Sequence, residues 1–410
     1  LLVAGVAGIA ARFFRWAVEA SARFVDRLRP SIYLAMRRLA SSGALLTGML
    51  VASVLAVGIA SYGSAMASSM RETTEAKAAV FIGGDVSVTT QPGYHVPKSF
   101  PFPTTQAYQF SDGVRVEPSG AAVGLLAVDP STLERGVRWY PSFSSSSLHD
   151  IVGAIGQPAR STLPIVVVGD PQNVAQLQLN GVTIPTRVVS RASAFPGTYD
   201  TRPWVVVSRA ALSEAAQATG GTDPVGNLSA FTPTWVRGDP AAVSEALSRI
   251  GFLSTDILTT QQVLDQPAYL AATRTFRILQ AIGIAAAVLA AVAILLYVQA
   301  RQRSRAVVAA LSSRMGLSRR AQIGATFVEL FAMLLCATVF GFAIGASVAA
   351  LIHGHADPLP GLPPPPLLSI SFVQIAPMVL SGAALAGAGA VVAQIVVDRA
   401  NFAEAMRHAD

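Results

Sequence analysis

Four apolar stretches constrain this chain more than any other feature of its sequence. They cover residues 43–66, 273–300 (apolar from Phe276 onward), 321–352 and 371–397. About 20 apolar residues in a helix cross the roughly 30 Å hydrocarbon core of a bilayer. Because lipid offers the backbone no hydrogen-bond partner, each stretch is predicted to be a helix. Only 13% of the residues are charged, well below the usual share in soluble proteins, so the composition also indicates a membrane protein.

The distribution of basic residues predicts which side of the membrane each segment occupies. Residues 11–42, with amphipathic helical patterns, carry seven arginines, and residues 301–320 carry six. The tail, 398–410, adds Arg399 and Arg407, whereas the Pro-rich loop 353–370 has no lysine or arginine. Since positive residues favour the cytoplasmic side, the loop and the long segment 67–272 are expected outside the cytoplasm. Residues 1–10 are apolar and are predicted to end a preceding membrane helix.

Residues 67–272 have the pattern of a folded α+β domain. β-rich runs such as "LPIVVVGD" and "RPWVVVS" alternate with turn residues and with helix-forming stretches. One helix is predicted to begin after Asp239 as its N-cap, with Pro240 in its first turn, and to end at Gly251. Helix-forming residues after position 66 and from Pro267 onward predict helical stalks at both ends of the domain.

The sequence contains no catalytic motif, so we do not expect this chain to be an enzyme. Neither of its two lysines, Lys77 and Lys98, follows a glycine, which excludes a phosphate-binding loop, and no G-x-S-x-G elbow occurs. His353, His355 and Asp357 could bind a metal, but two histidines in a Pro-rich loop are more often solvated, and no metal site or cofactor is predicted. The single cysteine, Cys336, and the common sequon at Asn227 add no site.

The charge of +7 arises from arginines beside apolar runs and not from a continuous basic face. It therefore indicates membrane lipids, and not nucleic acid, as a partner.

The basic segment 301–320 has the pattern of a short amphipathic helix. Val307, Leu311 and Met315 recur every four residues and form an apolar stripe. Gly316 is placed to end this helix, and Ser318 to cap the next one. The helix could lie on anionic lipid headgroups, or it could dock into a cytoplasmic partner protein.

The order of segments and two short motifs resemble the FtsX-like, MacB-type ABC transporter permeases of the type VII, mechanotransmission class. The first motif is "LSSRMGLSRRAQIGATFVEL", in which Leu311, Arg314, Met315, Gly316 and Glu329 occupy corresponding places. The second is "NFAEAMR" at 401–407, where Phe402 replaces the usual proline and Met406 the usual leucine. The resemblance implies a four-helix transmembrane repeat with an inserted α+β extracytoplasmic domain, in the bacterial plasma membrane, and the C-terminal half of a longer permease.

The resemblance also implies partners and contact residues. The expected partners are a homodimeric ABC ATPase that binds ATP and Mg²⁺, a second permease half or subunit, and an extracytoplasmic protein. The ATPase-coupling residues would be Val308, Leu311, Arg314, Met315 and Gly316. The cytoplasmic tail motif would be Asn401, Ala403, Glu404, Ala405 and Arg407.

Other features of the membrane segments indicate packing. Gly341 and Gly345 form a G-x-x-x-G step, and Gly387 lies in the Gly-rich last span, where small residues allow close helix approach. Glu329 lies near the start of the third span, where packing or an interfacial position is favoured over substrate contact.

Three functions fit the sequence. The first is a permease that couples ATP hydrolysis to movements of the outer domain, for export or extraction of a lipid, lipoprotein, peptide or drug. The second is an ATP-driven transmembrane switch for an extracellular cell-wall hydrolase. The third is a membrane sensor that uses no ATP. The resemblance favours the first, while the substrate is not readable from the residues.

Overall fold

A computed structural model describes most of the 410-residue chain. The described residues are 32–35, 44–89, 96–97, 99–220 apart from 160, 172 and 180, then 232–252, 256–300, 318–357, 359–370 and 372–407, with the single positions 8, 12 and 16. The chain divides into two compact units. The helical unit contains Leu1–Ser69, Thr273–His355 and Leu368–Asp410, and the sheet unit contains Met70–Ala272 and Ala356–Leu367.

Four long helices are apolar enough to cross a membrane. They are α1 (Ala44–Ile82), α7 (Pro267–Ala300), α8 (Arg319–Ile352) and α9 (Ile375–Arg407). Short 3₁₀ turns, His353–His355 and Phe372–Gln374, follow α8 and precede α9. Helices α7 and α8 include the whole stretches expected there, whereas α1 begins at Ala44 and α9 begins at Ile375, four residues after the expected start at 371. Helices α1 and α7 also include the residues predicted as stalks. The four spans expected from hydropathy are therefore present as helices.

Two clusters of apolar side chains hold the helical unit together. One joins Ile294 of α7, Leu330 and Met333 of α8, and Ala386 and Ala393 of α9. The other joins Leu50 and Val54 of α1 to Ala337 and Ile344 of α8. Many apolar side chains of α7 are exposed, for example Leu289 at 70%. Such a surface suits lipid or another membrane helix.

The sheet unit is built on one mixed sheet of eleven strands, in the order β11-β1-β10-β2-β5-β9-β6-β8-β7-β3-β4. The strands are β1 (Val86–Thr89), β2 (Thr104–Phe110), β3 (Val114–Glu117), β4 (Ala121–Ala122), β5 (Gly124–Val128), β6 (Leu163–Val168), β7 (Gln176–Leu179), β8 (Val182–Ala192), β9 (Trp204–Ser208), β10 (Pro233–Val236) and β11 (Asp256–Thr259). Only β5 with β9 and β6 with β8 pair in parallel, and the other pairs are antiparallel.

Among the described residues, five short helices complete the sheet unit: α2 (Pro130–Gly136), α3 (Leu148–Ile155), α4 (Arg209–Ala218), α5 (Pro240–Arg249) and α6 (Thr260–Leu264). Successive side chains of a strand point to opposite faces of the sheet. The central strands are apolar throughout because both of their faces are covered. Leu126 and Val206 pack with α2 and α3 on one face. Leu125 and Val205 pack with α4 on the other face. The centre of the unit therefore has helices on both faces of the sheet.

The local signals for α5 are confirmed. The Asp239 carboxylate accepts a hydrogen bond from the Ala242 N–H at 3.1 Å, Pro240 opens the helix, and Gly251 follows it with φ +64°. Ser318 caps α8 in the same way, through the Ala321 N–H at 3.3 Å. Strand β10 precedes α5 in the chain, and β11 follows it.

Candidate functional site

The expected ATPase-coupling segment lies outside the described residues. This holds for Val308, Leu311, Arg314, Met315 and Gly316, since residues 301–317 are not described. The backbone of the tail motif, 401–407, belongs to the last turns of α9, although the side chains of Asn401, Ala403, Glu404, Ala405 and Arg407 are not described. Asn227 also lies outside the described part of the chain.

Gly341 and Gly345 of α8 lie so close to α1 that neither position has room for a side chain. A Cβ atom at Gly345 would be 2.6 Å from the Gly58 carbonyl oxygen and 2.8 Å from the Tyr62 nitrogen. One at Gly341 would be 2.7 Å from the Val57 Cβ. Real Cβ atoms do not come so close to backbone atoms, so the G-x-x-x-G step permits the contact between these two helices.

Helices α1 and α7 approach each other equally closely. A Cβ at Gly283 would be 2.4 Å from the Ala60 nitrogen, and one at Gly63 would be 2.7 Å from the Gln280 nitrogen. These two glycines were not predicted from the sequence to be helix-packing residues. Gly387 of α9 is different, because its nearest neighbour would be Phe327 Cε2 at 4.0 Å, an ordinary contact. Glu329 is buried in α8, with 1% of its surface exposed.

A buried ion pair in the sheet unit joins the end of α1 to the Pro-rich loop. Lys77 Nζ donates to Asp357 Oδ1 at 2.8 Å, to Asp357 Oδ2 at 2.7 Å and to the Leu359 carbonyl at 2.6 Å. The side chains are 1% and 5% exposed. The buried ammonium group therefore has two acceptor groups, the Asp357 carboxylate and the Leu359 carbonyl, which compensate for its lost hydration. We call this arrangement the clasp.

One helical turn before the clasp, Thr73 binds the same loop. Its hydroxyl accepts a hydrogen bond from the Leu367 N–H at 2.9 Å and donates to the Leu367 carbonyl at 3.5 Å. Residues four apart share one face of a helix, so Thr73 and Lys77 both face the loop. Leu359 packs against Ala78, Ile82 and Val263, and Leu367 lies against the cluster around Phe143. Segment 356–367 is thus an integral part of the sheet unit.

The sequence did not predict the ion pair between Lys77 and Asp357, and this pair changes the interpretation of Asp357. As a candidate metal ligand, Asp357 would need free carboxylate oxygens, yet both accept from Lys77. Among the described residues, no group of three or more histidine, cysteine, aspartate or glutamate side chains could hold a metal ion. The one sequence feature that could have indicated a special role for Lys77 is composition. Lys77 is one of only two lysines in a chain whose other basic residues are mainly arginines.

A second polar cluster lies where α1 ends. The Asp85 carboxylate accepts from Arg138 Nη1 at 2.8 Å and from the Gly238 N–H at 3.0 Å. The Asp85 carbonyl accepts from the backbone N–H and the hydroxyl of Thr260, both at 3.1 Å. Burial alone would lower the pKa of Arg138, but the nearby Tyr140 and Asp85 outweigh it and the pKa is raised. This cluster attaches the residues after α1 to three other segments of the sheet unit.

A cavity of about 580 Å³ lies at the carboxyl ends of β5 and β9. From there the chain enters α2 on one face of the sheet and α4 on the other, and open α/β sheets bind ligands at such points. The only cation among its lining residues, Arg209, already contacts Tyr108. Arg209 Nη1 donates to the Tyr108 hydroxyl at 2.6 Å, and the guanidinium carbon lies 4.5 Å from the centre of the ring. The geometry of Arg209 is therefore explained without a ligand.

Comparison with known proteins identifies no family for this chain. No protein-family model matches the chain, and no curated protein matches it. The function must therefore be inferred from the residues and their geometry.

Proposed function

We propose that this chain is the permease subunit of an ABC transporter. It would couple ATP hydrolysis by a partner ATPase to movements of its sheet unit outside the cytoplasm, for export or extraction of a lipid, lipoprotein, peptide or drug. Three features support the proposal: four apolar helices, a sheet unit inserted between the first and second of them, and a basic amphipathic segment between the second and third.

The observation that carries the proposal is which segments of the chain form the sheet unit. Besides residues 70–272, the unit contains segment 356–367, which follows α8 and precedes α9. The last turns of α1 also belong to it. All four long helices therefore connect through the chain to this one unit, and the clasp fixes the α8–α9 connection to α1.

The lengths of the helices suit mechanical coupling. At 1.5 Å per residue, the 39 residues of α1 extend about 58 Å, whereas a bilayer core needs about 30 Å. Such a helix can carry a displacement from the membrane to the sheet unit without an intervening hinge. In the proposed mechanism, closure of the ATPase on ATP moves segment 301–320, and the displacement passes along α7 and α8.

The proposed coupling can be tested by replacing Leu311 in the apolar stripe. Leu311→Asp loses burial worth roughly 1.5–3 kcal/mol and adds the desolvation cost of a carboxylate, so the chain should no longer retain its ATPase. Arg305→Ala is the matched control, because position 305 lies off the apolar stripe and a charge outside the apolar contact contributes little to binding.

The measurement is recovery of the ATPase with the affinity-tagged full chain in detergent. We expect normal recovery with the unaltered chain and with Arg305→Ala, and loss with Leu311→Asp. Failure of the unaltered chain to retain any ATPase would contradict the permease proposal. Normal recovery with Leu311→Asp would instead assign the segment to the lipid surface.

A further inference from the structure

The sheet unit contains an apolar cavity of about 330 Å³, a volume within the range of small-molecule sites. Its walls include three aromatic side chains, Phe81, Tyr199 and Trp235, together with Ile82 and Leu258. Phe81 is 43% exposed and Trp235 is 1% exposed, so the cavity extends from the surface to the buried core. The described residues that line it include no charged side chain.

Strand pairing explains why these residues meet. Ser87 of β1 pairs with Trp235 of β10 on one side and with Leu258 of β11 on the other. Paired residues point to the same face of a sheet, so the three side chains line one surface. Trp235 is held in place by two glycines, because a Cβ at Gly83 or Gly197 would lie within 2.2 Å of its ring.

Gln109, one of the residues that line the cavity, has a buried polar atom with no partner among the described residues. Gln109 is 4% exposed, and its Nε2 donates to the Gly197 carbonyl at 2.6 Å. Because a carbonyl oxygen can only accept, this bond fixes the orientation of the amide. The other amide atom, Oε1, has no hydrogen-bond partner in the described part of the chain. Buried acceptors are nearly always paired, so Oε1 indicates a missing donor.

We propose that this cavity binds a small, neutral, largely aromatic molecule that donates one O–H or N–H hydrogen bond to Gln109 Oε1. The aromatic walls supply the apolar contact, and the single acceptor sets the orientation of the ligand. A charged ligand does not fit, since the described wall offers no opposite charge to compensate for its desolvation. Phenols and indoles have the required chemistry. All residues of this site belong to the sheet unit, so the inference does not depend on the proposed permease function.

The test compares two probes that differ only in the donor. The first is 5-fluoroindole, and the second is 5-fluoro-1-methylindole, which has no N–H. Binding of each to the purified full chain in detergent is followed by ¹⁹F NMR titration. Partition into micelles is the same for all variants, so it is measured in protein-free detergent and subtracted. We expect saturable binding of 5-fluoroindole, on the order of tenfold tighter than that of the methylated probe.

Two variants assign the preference to a residue. Gln109→Leu has similar volume but no acceptor, and it should bind both probes equally. Gln106→Leu changes a glutamine of the same strand that does not line this cavity, and it should keep the preference. Absence of saturable binding to the unaltered chain, or equal binding of the two probes to it, would overturn the proposal without any variant. A preference that persists in a folded Gln109→Leu chain would also overturn it.

Discussion

Lys77 Nζ lies 2.8 Å and 2.7 Å from the two carboxylate oxygens of Asp357, a residue 280 positions later in the chain. Both side chains are almost fully buried. The pair thus joins the end of the first long helix to the loop between the third and fourth. Burying two charges is costly, and their attraction compensates only when the geometry is good and every proton is bonded. In the clasp, the ammonium group contacts both carboxylate oxygens and also the Leu359 carbonyl at 2.6 Å, so the geometry favours the attraction.

The first prediction concerns the removal of one partner of the clasp. Lys77→Met should lower the free energy of unfolding by about 3–5 kcal/mol, because Asp357 would remain buried without a counterion. The double variant Lys77→Met, Asp357→Leu should recover most of the loss, since no charge stays buried. Chemical denaturation of the full chain in detergent measures both effects.

A matched control for the clasp lies on the same helix. Arg71 pairs with Glu75 at 2.8 Å, but its side chain is 71% exposed. Arg71→Met should change the free energy of unfolding by no more than about 0.5 kcal/mol. Equal effects of Lys77→Met and Arg71→Met would show that the clasp contributes no more than a surface ion pair.

The second prediction concerns the contact between α1 and α8. Gly345→Ala should destabilise the helical unit by about 1–3 kcal/mol, because the new methyl group would lie 2.6 Å from the Gly58 carbonyl oxygen. Gly387→Ala, whose methyl group would have its nearest neighbour at 4.0 Å, should be neutral or slightly stabilising. Thermal unfolding in detergent compares the two, and the reverse order would argue against the close packing of α1 on α8.

The third prediction concerns the orientation of the chain in the membrane. In a Cys336→Ala background, Ser145→Cys and Gly361→Cys should react with an impermeant thiol reagent applied to intact cells. Ser313→Cys should react only after the membrane is opened. Residues 145 and 361 are exposed in the sheet unit, so a lack of reaction cannot be attributed to burial. Labelling of Ser313→Cys in intact cells would reverse the predicted orientation.

The fourth prediction concerns Asp85. Asp85→Ala should destabilise the sheet unit by about 1–3 kcal/mol, chiefly because the Gly238 N–H loses its acceptor. The ion pair with Arg138 should add little, since the Arg138 side chain is 44% exposed. Glu245→Ala breaks an exposed pair with Arg249 and should change stability by less than about 0.5 kcal/mol. Denaturant titration should rank the two variants in this order.

Local features of the fold were predictable from the sequence, whereas long-range pairing was not. The four long apolar helices follow from hydropathy, and the start and end of α5 follow from Asp239, Pro240 and Gly251. These signals act within a few residues. The order of the sheet is different, because β1 pairs with β10 and β11, whose partner residues lie 144 to 173 positions later. Short strands of similar composition carry no mark of their partners.

The candidate sites show the same division. The packing role of Gly341 and Gly345 could be inferred from a spacing of four residues. Gly63 and Gly283 also lie in close contacts, but no spacing within either helix marks them. Gln109 gave no signal at all, since only the tertiary structure shows that its amide oxygen is buried beside a cavity.

The clasp also determines how the sheet unit could be prepared as a separate fragment. A fragment cut at positions 70 and 272 would keep Lys77 but lose Asp357 and the Leu359 carbonyl, and Thr73 would lose Leu367. Its first helix would then contain a buried ammonium group with no acceptor, which favours fraying of that helix or self-association. A fragment that also carries residues 356–367, joined through a flexible linker, would restore the missing acceptors and would be the appropriate soluble form for crystallisation.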